Sequence, residues 1–183
     1  YYTSSSNNIR LNSGKLEIEA IESNGNYTSA KIVTEGLHSW KYGRFEMRAK
    51  LPEGTGLWPA FWMLPVNGTW PKTGEIDIME NRGDQMNEIE GTLHYGSSFP
   101  LNQYDGTGYS LDAANGTFAD DFHVFAVEWE AGEIRWYLDG ELFKTETKNP
   151  NSLNPSSTDN VWPWDDQEFF VIINLAVGSS QTA

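Results

Sequence analysis

Residues 42–51 read Tyr-Gly-Arg-Phe-Glu-Met-Arg-Ala-Lys-Leu. Phe45, Met47, Ala49 and Leu51 share one parity, and Arg44, Glu46, Arg48 and Lys50 share the other. Successive side chains of a strand point to opposite faces, so this period of two demands a strand with one buried and one polar face. Shorter alternating runs surround it. Ile9–Leu11 and Leu16–Ile21 flank the turn formers Asn12-Ser13-Gly14, and Ser29–Thr34 follows a polar loop. Leu57–Leu64 is almost continuously apolar and reads as a strand buried on both faces, with Pro59 marking a bulge or a strand start. Ile89–Tyr95, Phe122–Glu130, Glu133–Leu138, Glu141–Lys144 and Phe169–Val177 complete the set, with Asp139-Gly140 as a hairpin turn of type I′. Residues 96–121 and 145–167 read as polar loops, and the only helical candidate is a turn near Leu111. Many short strands without crossover helices predict an all-β chain, an antiparallel β-sandwich or barrel. No linker or repeat divides it, so residues 1–183 read as a single domain.

Within this pattern, Gly74-Glu-Ile-Asp-Ile-Met-Glu-Asn81 stands apart, with three carboxylates among alternating apolar residues. Glu75 and Asp77 share a face, but strict alternation puts Met79 there next and sends Glu80 to the other side. A β-bulge around Ile78-Met79 would bring Glu80 back, and bulges often lie beside active sites. Glu75 and Glu80 would then be about four steps, roughly 13 Å, apart along the backbone. Inward lean of both side chains leaves a carboxyl gap of roughly 5 to 6 Å, the separation that retaining glycosidases use. At that distance like charges repel by about 3 kcal/mol at an effective dielectric near 20, or about two pKa units, enough to keep one carboxyl protonated. Two other readings of the triad are a hairpin strand with solvent-facing acids and a metal site. The second fits less well, because calcium cages recruit loop carbonyls as well as carboxylates.

Composition narrows the partner. The net charge of −14 argues against nucleic acid and anionic membranes, and no apolar run is long enough to span a bilayer. A neutral glycan is compatible. Aromatics make up 14% of the chain, which suits a large core or a ring-lined groove. No cysteine is present, so disulfides, thiol nucleophiles and zinc–thiolate sites are excluded. Trp70 lies in a polar Gly-Thr-Trp-Pro-Lys segment, where sugar stacking explains it better than core packing; Trp58 fits either role, and Trp62 reads as core. The triplets beginning at Asn26, Asn67 and Asn115 match the N-glycosylation pattern, relevant only in a eukaryotic secretory pathway.

Several segments together resemble glycoside hydrolase family 16 in its laminarinase-like (endo-β-1,3-glucanase) branch. They are Glu75–Glu80 in the bulged form of the signature, Tyr42–Leu51, Leu57–Leu64, Trp70–Gly74, His123–Trp129 with Ile134–Gly140, and Ile172–Gly178. The resemblance implies a β-jelly roll with a concave glucan cleft. By position it implies Glu75 as nucleophile, Glu80 as acid/base and Asp77 as the assisting carboxylate. It also places Trp70, Trp58, His94, Arg44 and Asn174 among the substrate-binding residues. The family's terminal edge strands have no counterpart in Tyr1–Ala183, so either this is a fragment or another polypeptide supplies them. No cofactor is needed for the chemistry; the family's structural Ca²⁺ uses terminal residues, so no metal ligand can be assigned. A polysaccharide substrate implies an extracellular or secreted protein, with no signal within the residues given. Hydrolysis of mixed-linkage β-1,3-1,4-glucan or of an algal galactan, and a non-catalytic glycan-binding sandwich, stay open beside β-1,3-glucan cleavage.

Overall fold

The computed structural model describes residues 1–98, 100–148 and 162–178. Fourteen strands are found among them. The first five are β1 (Ile9–Asn12), β2 (Lys15–Ile18), β3 (Ile21–Ser23), β4 (Asn26–Thr28) and β5 (Lys31–Val33). The longer strands follow: β6 (Gly43–Ala49), β7 (Leu57–Pro65), β8 (Glu75–Glu80), β9 (Glu88–Gly96) and β10 (Asn102–Ser110). The last four are β11 (His123–Glu130), β12 (Glu133–Leu138), β13 (Glu141–Thr147) and β14 (Phe169–Val177). Two antiparallel sheets dominate, ordered β10-β9-β8-β7-β14-β5 and β13-β12-β11-β6, with β1-β2 and β3-β4 as small ribbons. The β8 strand, with its three carboxylates, runs through the middle of the larger sheet.

The sheets stack because each has one apolar face. Phe61, Met63, Ile76, Ile78, Met79 and Leu93 from the larger sheet meet Phe125, Val127, Trp129, Ile134, Trp136 and Leu138 from the smaller in one buried cluster. Phe45, Met47 and Ala49 of β6 pack against it, so that strand's alternation is realised as expected. Asp139 and Gly140 both adopt positive φ, 50° and 87°, in the turn between β12 and β13.

Two expected loops contain strand. Residues 102–110 form β10, which pairs with β9 from Asn102↔Gly96 to Ser110↔Glu88. None of its residues is fully buried, because it is the sheet's edge and is held by its backbone ladder, so its composition resembles a loop. Residues 145–147 continue β13, and Pro163–Asp165 form a 3-10 turn that buries Trp164. The expected loop's residues 149–161, Phe99 and the terminal Ser179–Ala183 lie outside the described residues. Near Leu111, Ala113–Asn115 form a single 3-10 turn capped by the Asp112 side chain.

Candidate active site

The parity conflict in β8 is resolved by a bulge. Adjacent Phe61 and Trp62 of β7 pair with Met79 and Asp77, which skips Ile78. On the other side, Asp77 pairs with Thr92 and Glu80 with Glu90, so three steps on β8 match two on β9. Paired residues share a face, so Glu75, Asp77 and Glu80 all point to the face opposite the core. Ile76, Ile78 and Met79 are buried in the core at 0%, 2% and 0% exposure.

A bulge frees backbone groups that must find partners elsewhere. Two indoles supply them from beneath. Trp136 Nε1 donates to the Asp77 carbonyl at 2.8 Å, and Trp164 Nε1 to the Glu75 carbonyl at 3.2 Å. Each ring needs a glycine beside it. A Cβ on Gly91 would lie 2.6 Å from Trp136 Cδ1, and one on Gly74 would lie 2.9 Å from Trp164 Nε1. Gly74 also has φ +88°, which side-chain-bearing residues rarely adopt.

Above the strand, Trp70 Nε1 donates to Glu75 Oε2, and Trp58 hydrogen-bonds to Glu80. His94 pairs in register with Glu75 and places Nε2 3.2 Å from Asp77 Oδ2. Burial pushes the Glu75 carboxyl up to about 8, with Asp77 adding to the rise and His94 and the Trp70 N–H opposing it. Glu80 is pushed up to about 7, again by burial first, with Glu75 and Glu90 adding and His94 opposing. Asp77, only 2% exposed, is held well above the usual carboxylate range by burial and then by Glu80. Three neighbouring carboxyls of this kind titrate as a unit, and protons stay on the group into neutral pH.

The structure brings most of the expected residues to this face. Trp70 is 44% exposed with its ring 6.1 Å from that of His94. Asn174 faces the cleft with its amide already engaged, accepting from Trp62 Nε1 at 2.7 Å and donating to the Tyr2 hydroxyl at 3.2 Å. Trp62 is therefore on the cleft face and only half-buried, not in the core; an indole on an apolar strand still needs a partner for its N–H. Arg44 is also corrected. It belongs to β6 in the smaller sheet, where it pairs with Glu46 and Glu128 and lies over the Tyr137 ring, away from the β8 carboxylates. Its alternating strand has a polar face, but that face is the sandwich's outer surface.

Two cleft residues escaped the sequence. Tyr104 of β10 pairs with His94, is 69% exposed and continues the ring row Trp70–His94–Tyr104 at 6.1 Å. Glu90 stands directly across from Glu80. Tyr104 had no alternating neighbours to signal a strand, and Glu90 could be placed only once the bulge set the register.

Glu75, Asp77 and His94 offer ligand atoms within 4.8 Å of one another, among the described residues the one such group of three. They make a poor Ca²⁺ cage, and they are not the terminal residues from which the family resemblance builds its structural Ca²⁺ site. Calcium takes 6–8 oxygens, whereas this set has two carboxylates that burial disposes to protonation and an imidazole nitrogen.

The sequence model of glycosyl hydrolases family 16 matches residues 1–164. The chain belongs to this family. A glucan endo-1,3-beta-glucosidase A1 from Niallia circulans is 42% identical to this family 16 chain over 193 aligned residues, covering 98% of the chain and 28% of that protein. The X-ray structure of the laminarinase from Rhodothermus marinus superposes with a TM-score of 0.83 at 42% identity, over 97% of this chain and 72% of that one. A beta-1,3-glucan-binding protein from Penaeus monodon is 39% identical over 84% of the chain and 47% of its own length. The chain thus spans less than two thirds of both of these curated relatives. The family 16 sandwich matches the all-β, antiparallel fold expected from the sequence.

Proposed function

We propose that this family 16 chain is the catalytic unit of a retaining endo-β-1,3-glucanase. The observation that carries the reading is the bulge that turns Glu80 onto the face of Glu75 and Asp77. Glu75 attacks the anomeric carbon as Glu80 protonates the departing glycosidic oxygen, giving a glycosyl-enzyme. Glu80 then takes a proton from water, the water oxygen bonds to the anomeric carbon, and Glu75 leaves as a carboxylate. Attack requires Glu75 to be ionised although burial raises it. The Trp70 N–H and His94, both of which favour the charged form of Glu75, meet that need.

β-1,3-Glucan is the substrate named by the glucanase and laminarinase relatives, and the absence of a basic cluster along residues 99–108 fits a neutral polymer. Such a polymer lies outside cells, so we place the protein there, acting on polysaccharide. None of the described helices is long and apolar enough to cross a membrane. A second reading, glycan binding without hydrolysis, is favoured by the name of the Penaeus monodon relative and by the exposed Trp70. Reducing-sugar release from laminarin, mixed-linkage glucan and agarose separates these readings. Release from laminarin with the anomeric configuration retained by NMR is expected; binding to laminarin without release overturns the hydrolase.

A further inference from the structure

A fourth carboxylate stands in this cleft. Glu90 of β9 is the cross-strand partner of Glu80 across the bulged ladder. Directly opposed strand residues have Cβ atoms about 5 Å apart, and like charges so placed are unfavourable. A Cβ on Gly106 of the neighbouring β10 would lie only 2.3 Å from Glu90 Oε1, so the carboxylate lies across the bare backbone of that glycine. Glu80, Glu90, Trp58, Arg82 and Glu88 line one pocket of about 240 Å³.

The charges facing this pair come from every adjoining element. Glu75 and Asp77 share the strand of Glu80; Glu75 adds to the rise of its carboxyl and His94 of β9 opposes it. Glu88 and Arg82 line the pocket itself. Behind the sheet, Lys144 of β13 is buried, bonded to the Gly91 and Asp105 carbonyls and paired with Asp105 and Glu146; Glu90 favours its charged form. Acids outnumber cations around the pair.

We propose that Glu90 is a positioning residue for the acid/base step: its charge, fixed opposite Glu80, keeps the catalytic proton on Glu80 at a pH where a solitary glutamate would have lost it. This rests on the reading of Glu80 as acid/base. Hydrolysis of a glucan needs that proton because the sugar leaving group is poor. Glu90 therefore adds to burial and to Glu75 in raising the alkaline limit of the reaction, without touching the bond that breaks.

The test is the pH dependence of kcat/KM for wild type, Glu90→Gln and Glu90→Asp on laminarin oligosaccharides, and on a dinitrophenyl glycoside whose leaving group departs unprotonated. On oligosaccharides the alkaline limb of Glu90→Gln is expected about one to two pH units lower, the size for like charges about 6 Å apart at an effective dielectric of about 20 to 40. Glu90→Asp, which keeps the charge but withdraws it, is expected between the two. On the dinitrophenyl substrate the three limbs should coincide. Coincident limbs on oligosaccharides, or equal displacement on both substrates, overturn the proposal. Glu80→Gln separates the layers. If it cleaves laminarin at the wild-type rate, the acid/base assignment itself falls. If it is inactive while the Glu90 limbs coincide, only the role of Glu90 falls.

Discussion

The indole of Trp136, projecting from the smaller sheet, donates to the backbone carbonyl of Asp77 in the larger one. Through this contact the core holds the middle of the candidate catalytic strand. Trp136→Phe keeps most of the apolar volume but leaves a buried carbonyl without its donor. A loss of about 1–3 kcal/mol is expected in chemical denaturation, together with a lower kcat as Asp77 drifts.

Trp70→Phe separates stacking from hydrogen bonding. A phenyl ring can still lie against sugar, but Glu75 loses a donor that favours its ionised form. The Glu75 carboxyl should rise further, so the acid limb of the pH–rate profile should move to higher pH while KM changes less than kcat. A limb that stays in place argues that the Trp70 N–H does not act on Glu75.

Stability should carry the signature of the raised carboxyls. Glu75 and Glu80 move from an ordinary 4.5 to about 8 and about 7, so the folded state binds more protons than the unfolded chain between those values. Their favourable contribution is whole below about 4.5 and lost as pH rises through about 7 to 8. Glu75→Gln, which cannot ionise, should melt close to wild type at pH 4.5 and above it at pH 8. Melting curves at the two pH values check this, and the gain in stability accompanies a loss of activity.

Arg44→Ala should leave hydrolysis of laminarin within a factor of two of wild type. Its partners Glu46 and Glu128 are on the outer surface of the smaller sheet, and exposed ion pairs contribute about 0–1 kcal/mol. Tyr104→Ala should act oppositely, raising KM for long glucans while leaving thermal stability within about 0.5 kcal/mol, because the ring is 69% exposed beside His94.

These contrasts mark what could be read from residues alone. The bulge was legible because the positions of Met79 and Glu80 contradict any regular strand, and β14 was legible as an apolar run broken only by Asn174. Arg44 was misplaced because alternation shows which side chains share a face, not whether that face lines a cleft or meets solvent. That depends on which sheet the strand joins. Trp62 was assigned to the core because an apolar strand looks buried on both sides even when one side is a groove. The edge strand carrying Tyr104 is stabilised by backbone pairing, which leaves no apolar pattern. The hydrogen bonds of Trp136 and Trp164 leave no mark in the sequence, since they go to a backbone that only folding brings to them.

The out-of-step residue in β8 also has a meaning for the core. In regular alternation, one side of the strand would carry Glu75, Asp77 and Met79, and the other Ile76, Ile78 and Glu80. Each side would be mixed, with a thioether in the groove and a carboxylate forced among Phe61, Leu93 and Trp136. Skipping Ile78 sorts the six side chains without remainder, acids to one side and hydrocarbons to the other. The same irregularity that assembles a reaction centre thus spares the interior a buried charge, so selection for activity and selection for folding favour the same misstep.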